Sequence, residues 1–248
     1  MSEILKLGIL FITGAVAGFI NVNAGGGSSL TLPVMIFLGL DSSVANGTNR
    51  IGILTQTFSS VSSFHKHQYH DFKISFKLAC FALPGAIAGA LVSVKLSDDA
   101  FQKILGVLMI GIVFSIIFSS KKKDIQSQNS EPSWWLYPAM IGVGFYGGFI
   151  QVGVGFLLMA SLYYLLKVNL IRVNMHKVFI VFIYTIPALM VFVITDNVHW
   201  LFGIVLALGM AVGGWWGAKM AVKGGEKIIR IVLIVAIVIM AVKLLGIF

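Results

Sequence analysis

The sequence predicts an all-α polytopic membrane protein built as two inverted repeats, and three observations carry that prediction. The first is composition: of 248 residues, 58% are hydrophobic and 11% are charged, with a mean hydropathy of +0.97. A soluble globule has about a quarter of its residues charged. The second is the form of the apolar runs, which are helix-length and lack the two-residue alternation of barrel strands; only helices and closed barrels satisfy the backbone inside a bilayer. The third is a glycine-rich polar stretch, Gly18 to Ser63, whose pattern returns in the second half of the chain.

Ten apolar segments follow one another, at about 4–22, 28–40, 44–64, 74–95, 101–119, 136–150, 156–167, 172–195, 198–219 and 228–247. The first runs into Asn21, Asn23 and the consecutive glycines Gly25, Gly26 and Gly27. The second is too short for a crossing, which takes about 20 residues. Three glycines free the backbone for a tight turn, and Ser28 or Ser29 caps the new helix. The first amides of that helix carry roughly half a positive charge, which makes its start an anion site.

Segments six and seven repeat the design around Gln151, Gly153 and Gly155. Laying GFINVNAGGG over GFIQVGVGFL pairs Gly18 with Gly148, Asn21 with Gln151 and Gly25 with Gly155. Further on, Ala45 to Arg50 falls on Val173 to Val178, pairing Asn46 with Asn174 and Asn49 with Lys177. Weak internal symmetry with glycine-interrupted short segments points to a transporter site at the repeat interface. Five segments per half is an odd number, so the second repeat is inverted relative to the first. The repeats are residues 1–119 and 134–248, joined by a polar linker at 120–133 that contains Pro132.

Orientation follows from the basic residues. Lys66, Lys73, Lys121 to Lys123, Lys167, Arg172, Lys219, Lys223 and Lys227 collect on one side if loops alternate. The positive-inside rule puts that side and the linker in the cytoplasm and both termini outside. Each glycine hairpin either re-enters or crosses twice, and the parity is the same. The glycine tips then meet near the midplane.

The glycine-rich first hairpin, the AlaAsnGlyThrAsnArg stretch, the Gly-x-Gly second hairpin and the length of about 250 residues together resemble the TauE/SafE, or sulfite exporter, family. The resemblance covers essentially the whole chain and implies a transporter of the cytoplasmic membrane for sulfite, a sulfonate such as sulfoacetate, or a related organosulfur anion. The chain departs from the family's fuller pattern at Phe156 and Leu157, where further glycines stand.

Arg50 lies about one turn inside segment three, where a charge costs roughly 3 kcal/mol unless paired or solvated. All nine acidic residues fall in or beside loops, so Arg50 is expected to meet an anion; snorkelling to the interface and pairing with Asp41 are the alternatives. His176 and Lys177 hold the equivalent place in the second half. Thr48, Asn49 and Gln56 are the pore-facing choices of segment three, whose other hydroxyls read as packing devices. The expected binding set is completed by the tip residues, Asn46 and Asn174. Arg50 is expected to dominate it.

Other classes find less support. The net charge of +9 is spread over loops with no continuous basic face, so no nucleic acid is expected as partner; the partners are a small anion and membrane lipid. His65, His67 and His70 have only Asp71 nearby and read as solvated rather than metal-binding, and no cofactor is expected. Cys80, inside an apolar run, reads as buried. Gly85 with Gly89 and Gly209 with Gly213 read as close helix packing. Trp134, Trp135, Trp200, Trp215 and Trp216 suit the interfacial belt. No enzyme signature is present, which leaves secondary transport, with a passive anion channel and a membrane enzyme as rivals. With no central carboxylate, a coupled proton rides on His176 or on the substrate.

Overall fold

The computed structural model describes residues 2–69, 71–117 and 133–224. Among them all regular structure is helical: α1 (Glu3–Asn23), α2 (Ser28–Phe37), α3 (Ser42–Lys66), α4 (Phe72–Ser93), α5 (Asp98–Ile117), α6 (Leu136–Phe149), α7 (Val154–Ser161), α8 (Leu170–Ile194) and α9 (Trp200–Lys223). A π-helical turn, Leu162–Leu166, continues α7. These helices fall on the first nine apolar segments of the sequence. The tenth segment, 228–247, and the linker apart from Ser133 lie outside the described residues.

Helices α1, α4, α8 and α9 are long and apolar enough to cross a membrane, whereas Ser28–Phe37 and Val154–Leu166 are shorter apolar pieces. Helix α3 has the length but not the composition. Its Asn46, Thr48, Asn49, Arg50, Gln56, Thr57, Ser60 and Ser63 are all buried, so the chain wraps this polar helix in protein. Three of its serines hold it against α9: Ser59, Ser60 and Ser63 donate to the carbonyls of Ala211, Gly214 and Trp215 at 2.8, 3.1 and 3.3 Å. Bonds of this kind satisfy polar groups that lipid would leave bare.

The helix contacts have an internal order. Helix α1 lies on α9 and α6 lies on α4; α3 packs on α9 and α4 packs on α8; α3 and α8 touch at the centre. Both outer pairs use glycine for close approach. A Cβ on Gly209 or Gly213 would stand 2.2 or 2.0 Å from a carbonyl oxygen of α1, and one on Gly85 or Gly89 would stand 2.2 or 2.1 Å from a carbonyl oxygen of α6. Gly18 answers from α1, where a Cβ would meet Met210 O at 2.5 Å, and Gly148 from α6, where one would meet Ala86 O at 2.0 Å. The residue five before the end of α6, as Gly18 is of α1, is however Gly144, on Ala82 O at 2.2 Å, one turn from the pairing read in the sequence.

The described acidic residues are exposed, and none is in the core. Trp134, Trp135, Trp200 and Trp216 are exposed as well. Cys80 is on the exposed face of α4, not buried as expected, because the small residues Ala79, Ala82 and Ala86 turn the opposite face inward.

Candidate functional site

Two helix breaks face each other at the centre. The first separates α1 from α2 and the second separates α6 from α7. They turn alike: Ala24 (φ −116°) is followed by Gly25 (φ +84°), and Ile150 (φ −122°) by Gln151 (φ +66°). In the first, Ile20 O accepts the amides of Ala24 and Gly25 at 2.7 and 3.3 Å; in the second, Tyr146 O accepts those of Ile150 and Gln151 at 3.1 and 3.3 Å. The breaks touch. A Cβ on Gly25 would lie 2.4 Å from the Gly155 backbone and one on Gly155 2.2 Å from Gly25 Cα.

The last carbonyls of a helix have no partner within it. Here each broken helix borrows a cation from the other half. Lys177 Nζ donates to Asn21 O (3.1 Å) and Val22 O (2.6 Å) of α1, and to Asn174 Oδ1 (2.8 Å). Arg50 donates through Nη1 to Gly147 O (3.1 Å) and through Nη2 to Gly148 O of α6. Counted back from the helix end, these are the same two carbonyls. Next to them, Asn46 Nδ2 takes Phe149 O (2.8 Å) and Ser93 Oγ (2.9 Å), while Asn23 Nδ2 takes Phe19 O (3.0 Å) and Gly217 O (3.3 Å). A positive charge at a helix C-terminus also opposes the dipole's negative end.

A small cavity lies between the breaks, lined by Asn21, Ser28, Ile53, Thr57, Gln151, Val154, Gly155, Lys177, Val178 and Val181. Its volume, about 10 Å³, is on the order of one water. The starts of α2 (Ser28) and α7 (Val154, Gly155) both reach it. Among the described residues Lys177 is the one ionisable group that lines it, and it is 2% exposed.

Of the residues expected from sequence, the cavity brings together Asn21, Ser28, Gln151, Gly155 and Lys177. Asn49 and Gln56 stand one bond behind: Asn49 Nδ2 donates to Ser28 Oγ (3.1 Å), and Asn21 Nδ2 donates to Gln56 Oε1 (2.7 Å). Asn174 holds Lys177. Asn23, Asn46, Gly25, Gly27 and Gly153 shape the breaks, Gly153 as the left-handed residue (φ +70°) before α7. Gly26 O accepts from Ser29 Oγ at 2.6 Å.

Some side chains stand elsewhere than the sequence suggests. Arg50 does not turn to the cavity: its fork closes on the two carbonyls of α6, and its Cζ lies 4.6 Å from the centre of the Phe192 ring, so neither Asp41 nor the interface is its partner. Neither Ser28 nor Ser29 caps α2 with its side chain; the capping position is Gly27, whose helical φ of −56° already continues the turn. Thr48 leaves the pore face to accept the amide of His199 at 2.9 Å. His176 turns to α4, with Nδ1 2.7 Å from Ser75 Oγ, because neighbours on a helix point about 100° apart.

Sequence reasoning missed Ile53, Thr57, Val154, Val178 and Val181 as lining, and Tyr184 and Thr185 behind Gln151. The signal was available in part: Val178 and Val181 follow Lys177 at one and four residues, and Thr57 was among the hydroxyls of segment three. Among the described residues, no group of three His, Cys, Asp or Glu side chains stands close enough to hold a metal ion.

Fold and site together define a multi-pass helical membrane protein with a polar centre at two helix breaks. The family model "Sulfite exporter TauE/SafE" matches residues 10–244. The chain is 28% identical over 241 residues to "Probable membrane transporter protein ORF9" of Sinorhizobium sp, covering 97% of this chain and 92% of that one. It is 26% identical over 240 residues to a "Probable membrane transporter protein" of Haemophilus influenzae, covering 96% and 94%. To "Probable membrane transporter protein YfcA" of Escherichia coli K12 it is 27% identical over 246 residues, covering 97% and 90%. No solved structure matches. The chain belongs to the TauE/SafE family of membrane transporters, which removes the membrane enzyme as a rival.

Proposed function

We propose that this protein is a secondary transporter that carries a small sulfur-containing oxyanion, such as sulfite or a sulfonate, across the cytoplasmic membrane through the cavity between its two helix breaks. One observation carries the reading. Lys177 is buried on the cavity wall, and no carboxylate is buried among the described residues to neutralise it. Held only by neutral oxygens and standing on the cavity wall, which Arg50 does not, this cation is placed to exchange one of them for an anion that comes and goes. At an effective dielectric near 20, a full charge about 4 Å away contributes roughly 4 kcal/mol, and each helix start about half that, before desolvation is subtracted.

The same contacts give a mechanism. Lys177 has three N–H donors and all three are used, two of them on the end of α1. An entering anion takes over at least one of those bonds, and the end of α1 is released as the anion binds. A cavity of about 10 Å³ has to widen for an oxyanion, which means parting the breaks at Gly25 and Gly155. Binding and opening are thereby one event, as population shift requires.

The two halves act as inverted repeats, with both termini outside and the linker in the cytoplasm. The matched packing of α1 on α9 and α6 on α4 and the exchange of cations between halves support the repeat arrangement, and the distribution of basic loop residues supports the orientation. Reporter fusions at the termini and in the linker test it: the linker on the same side as the termini sinks the inverted arrangement.

The test of function is a thermal-shift screen of sulfite, sulfate, thiosulfate, sulfoacetate and taurine on purified protein, because a bound ligand stabilises by mass action. A positive anion is then followed into proteoliposomes. Uptake that responds to imposed pH or sodium gradients identifies a coupled transporter. Uptake that follows only the anion's own gradient identifies the passive channel.

A further inference from the structure

We infer that Gln151 is the residue that makes the cavity prefer oxyanions to halides, by donating its carboxamide N–H groups to the anion held at Lys177. The inference rests on the anion-carrier reading above and adds to it a specificity determinant.

Two independent observations single out Gln151. The first is its backbone. At φ +66° it occupies the left-handed region, at the turn where the first break places Gly25 at φ +84°. Side chains are disfavoured there, and glycine is the default. A glutamine in a conformation that glycine adopts freely is strained, as Gln68, Lys167 and Asp196 are at exposed helix ends. Among these residues Gln151 alone lines the cavity, and strained residues gather at functional sites.

The second is that side chain. Gln151 is 1% exposed and lines the cavity, yet its Oε1 has no partner. Its Nε2 reaches Thr185 Oγ1 only at 3.4 Å. Buried amides normally satisfy both ends. A half-turn of the carboxamide exchanges its ends: Oε1 then stands beside the hydroxyls of Thr185 and Tyr184, the latter also without a partner, and the NH₂ group takes the side on which Oε1 had none.

Gln151 then joins two other donors that line the cavity. Ser28 Oγ accepts from Asn49 Nδ2, which leaves its own proton to give. Lys177 supplies the charge. The three come from the second break, the start of α2 and α8, so they approach from different directions. An anion with several oxygens takes a separate bond from each donor. A halide is a single spherical acceptor and gains less from donors spread over three directions.

The experiment uses the purified full-length protein with sulfite, methanesulfonate and chloride as probes, each titrated against the wild type, Gln151→Gly and Lys177→Met. Gln151→Gly should melt close to wild type, since relief of the backbone offsets the volume lost beside the cavity. Its affinity for sulfite and methanesulfonate should fall about ten- to a hundredfold, the range for a hydrogen bond to a charged group, with chloride unchanged. If oxyanion affinity falls by less than about threefold, or falls together with that for chloride, the assignment of Gln151 is overturned while the anion site stands. If the wild type binds neither oxyanion, or Lys177→Met binds them as wild type does, the carrier reading itself is overturned. Should Gln151→Gly misfold, Gln151→Met keeps the volume without the donors and gives the same comparison.

Discussion

The two helix breaks share one plan and use different residues to carry it out, and the difference separates structure from function. In each, a cation from the opposite half closes the same two terminal carbonyls. At the second break that cation is Arg50, fully buried, with its planar fork on Gly147 and Gly148 and the Phe192 ring beside it. At the first it is Lys177, on the cavity wall. An arginine fork suits a fixed, two-point contact, whereas an ammonium on a flexible stem can change partners. Arg50 therefore reads as a permanent clasp and Lys177 as one that opens.

Breaking the clasp should have the largest effect. Arg50→Ala leaves two buried carbonyls and a large void, and should cost about 3–5 kcal/mol, enough to abolish folded protein in detergent. Arg50→Lys keeps the charge but loses the fork, and should restore part of the melting temperature without changing which anions bind. Recovery of folded, anion-binding protein from Arg50→Ala would put the clasp account in error.

Pushing the breaks apart comes next. Gly155→Ala sets a methyl against Gly25 Cα, and Gly25→Ala adds a disfavoured φ to the same clash. Each should destabilise by about 1–3 kcal/mol, the usual range for overpacking, and slow uptake more than it weakens binding. Melting curves read beside initial uptake rates would separate the two effects. The smallest effect belongs to His176→Gln, which keeps a partner for Ser75 and does not face the cavity. Its melting temperature and anion affinity should stay near wild type, with only the pH dependence of uptake reduced; unchanged pH dependence excludes the histidine as proton carrier.

Much of this arrangement was legible in the sequence. Glycine clusters and short second segments located both breaks, and small-residue spacing located the helix contacts. The partners of the cations were not legible, since a terminal carbonyl leaves no mark in a side-chain pattern. Arg50 was read as the anion ligand because no carboxylate could pair it, yet the ends of broken helices supply negative charge that composition does not record. The pairing of Asn21 with Gln151 was misleading for a related reason. Counted from the helix ends, Gln151 answers to Gly25, and only the backbone angles reveal it.

The central claim is that Lys177, and not Arg50, holds the transported anion. The direct measurement is the anion-induced thermal shift of Lys177→Met beside that of wild type and Arg50→Lys. Lys177→Met gives up the capping of two carbonyls but also a costly buried charge, so it should remain folded, within about 1–2 kcal/mol of wild type. The account predicts that its sulfite or sulfonate shift disappears while Arg50→Lys keeps its own. A folded Lys177→Met that retains the full shift would contradict it.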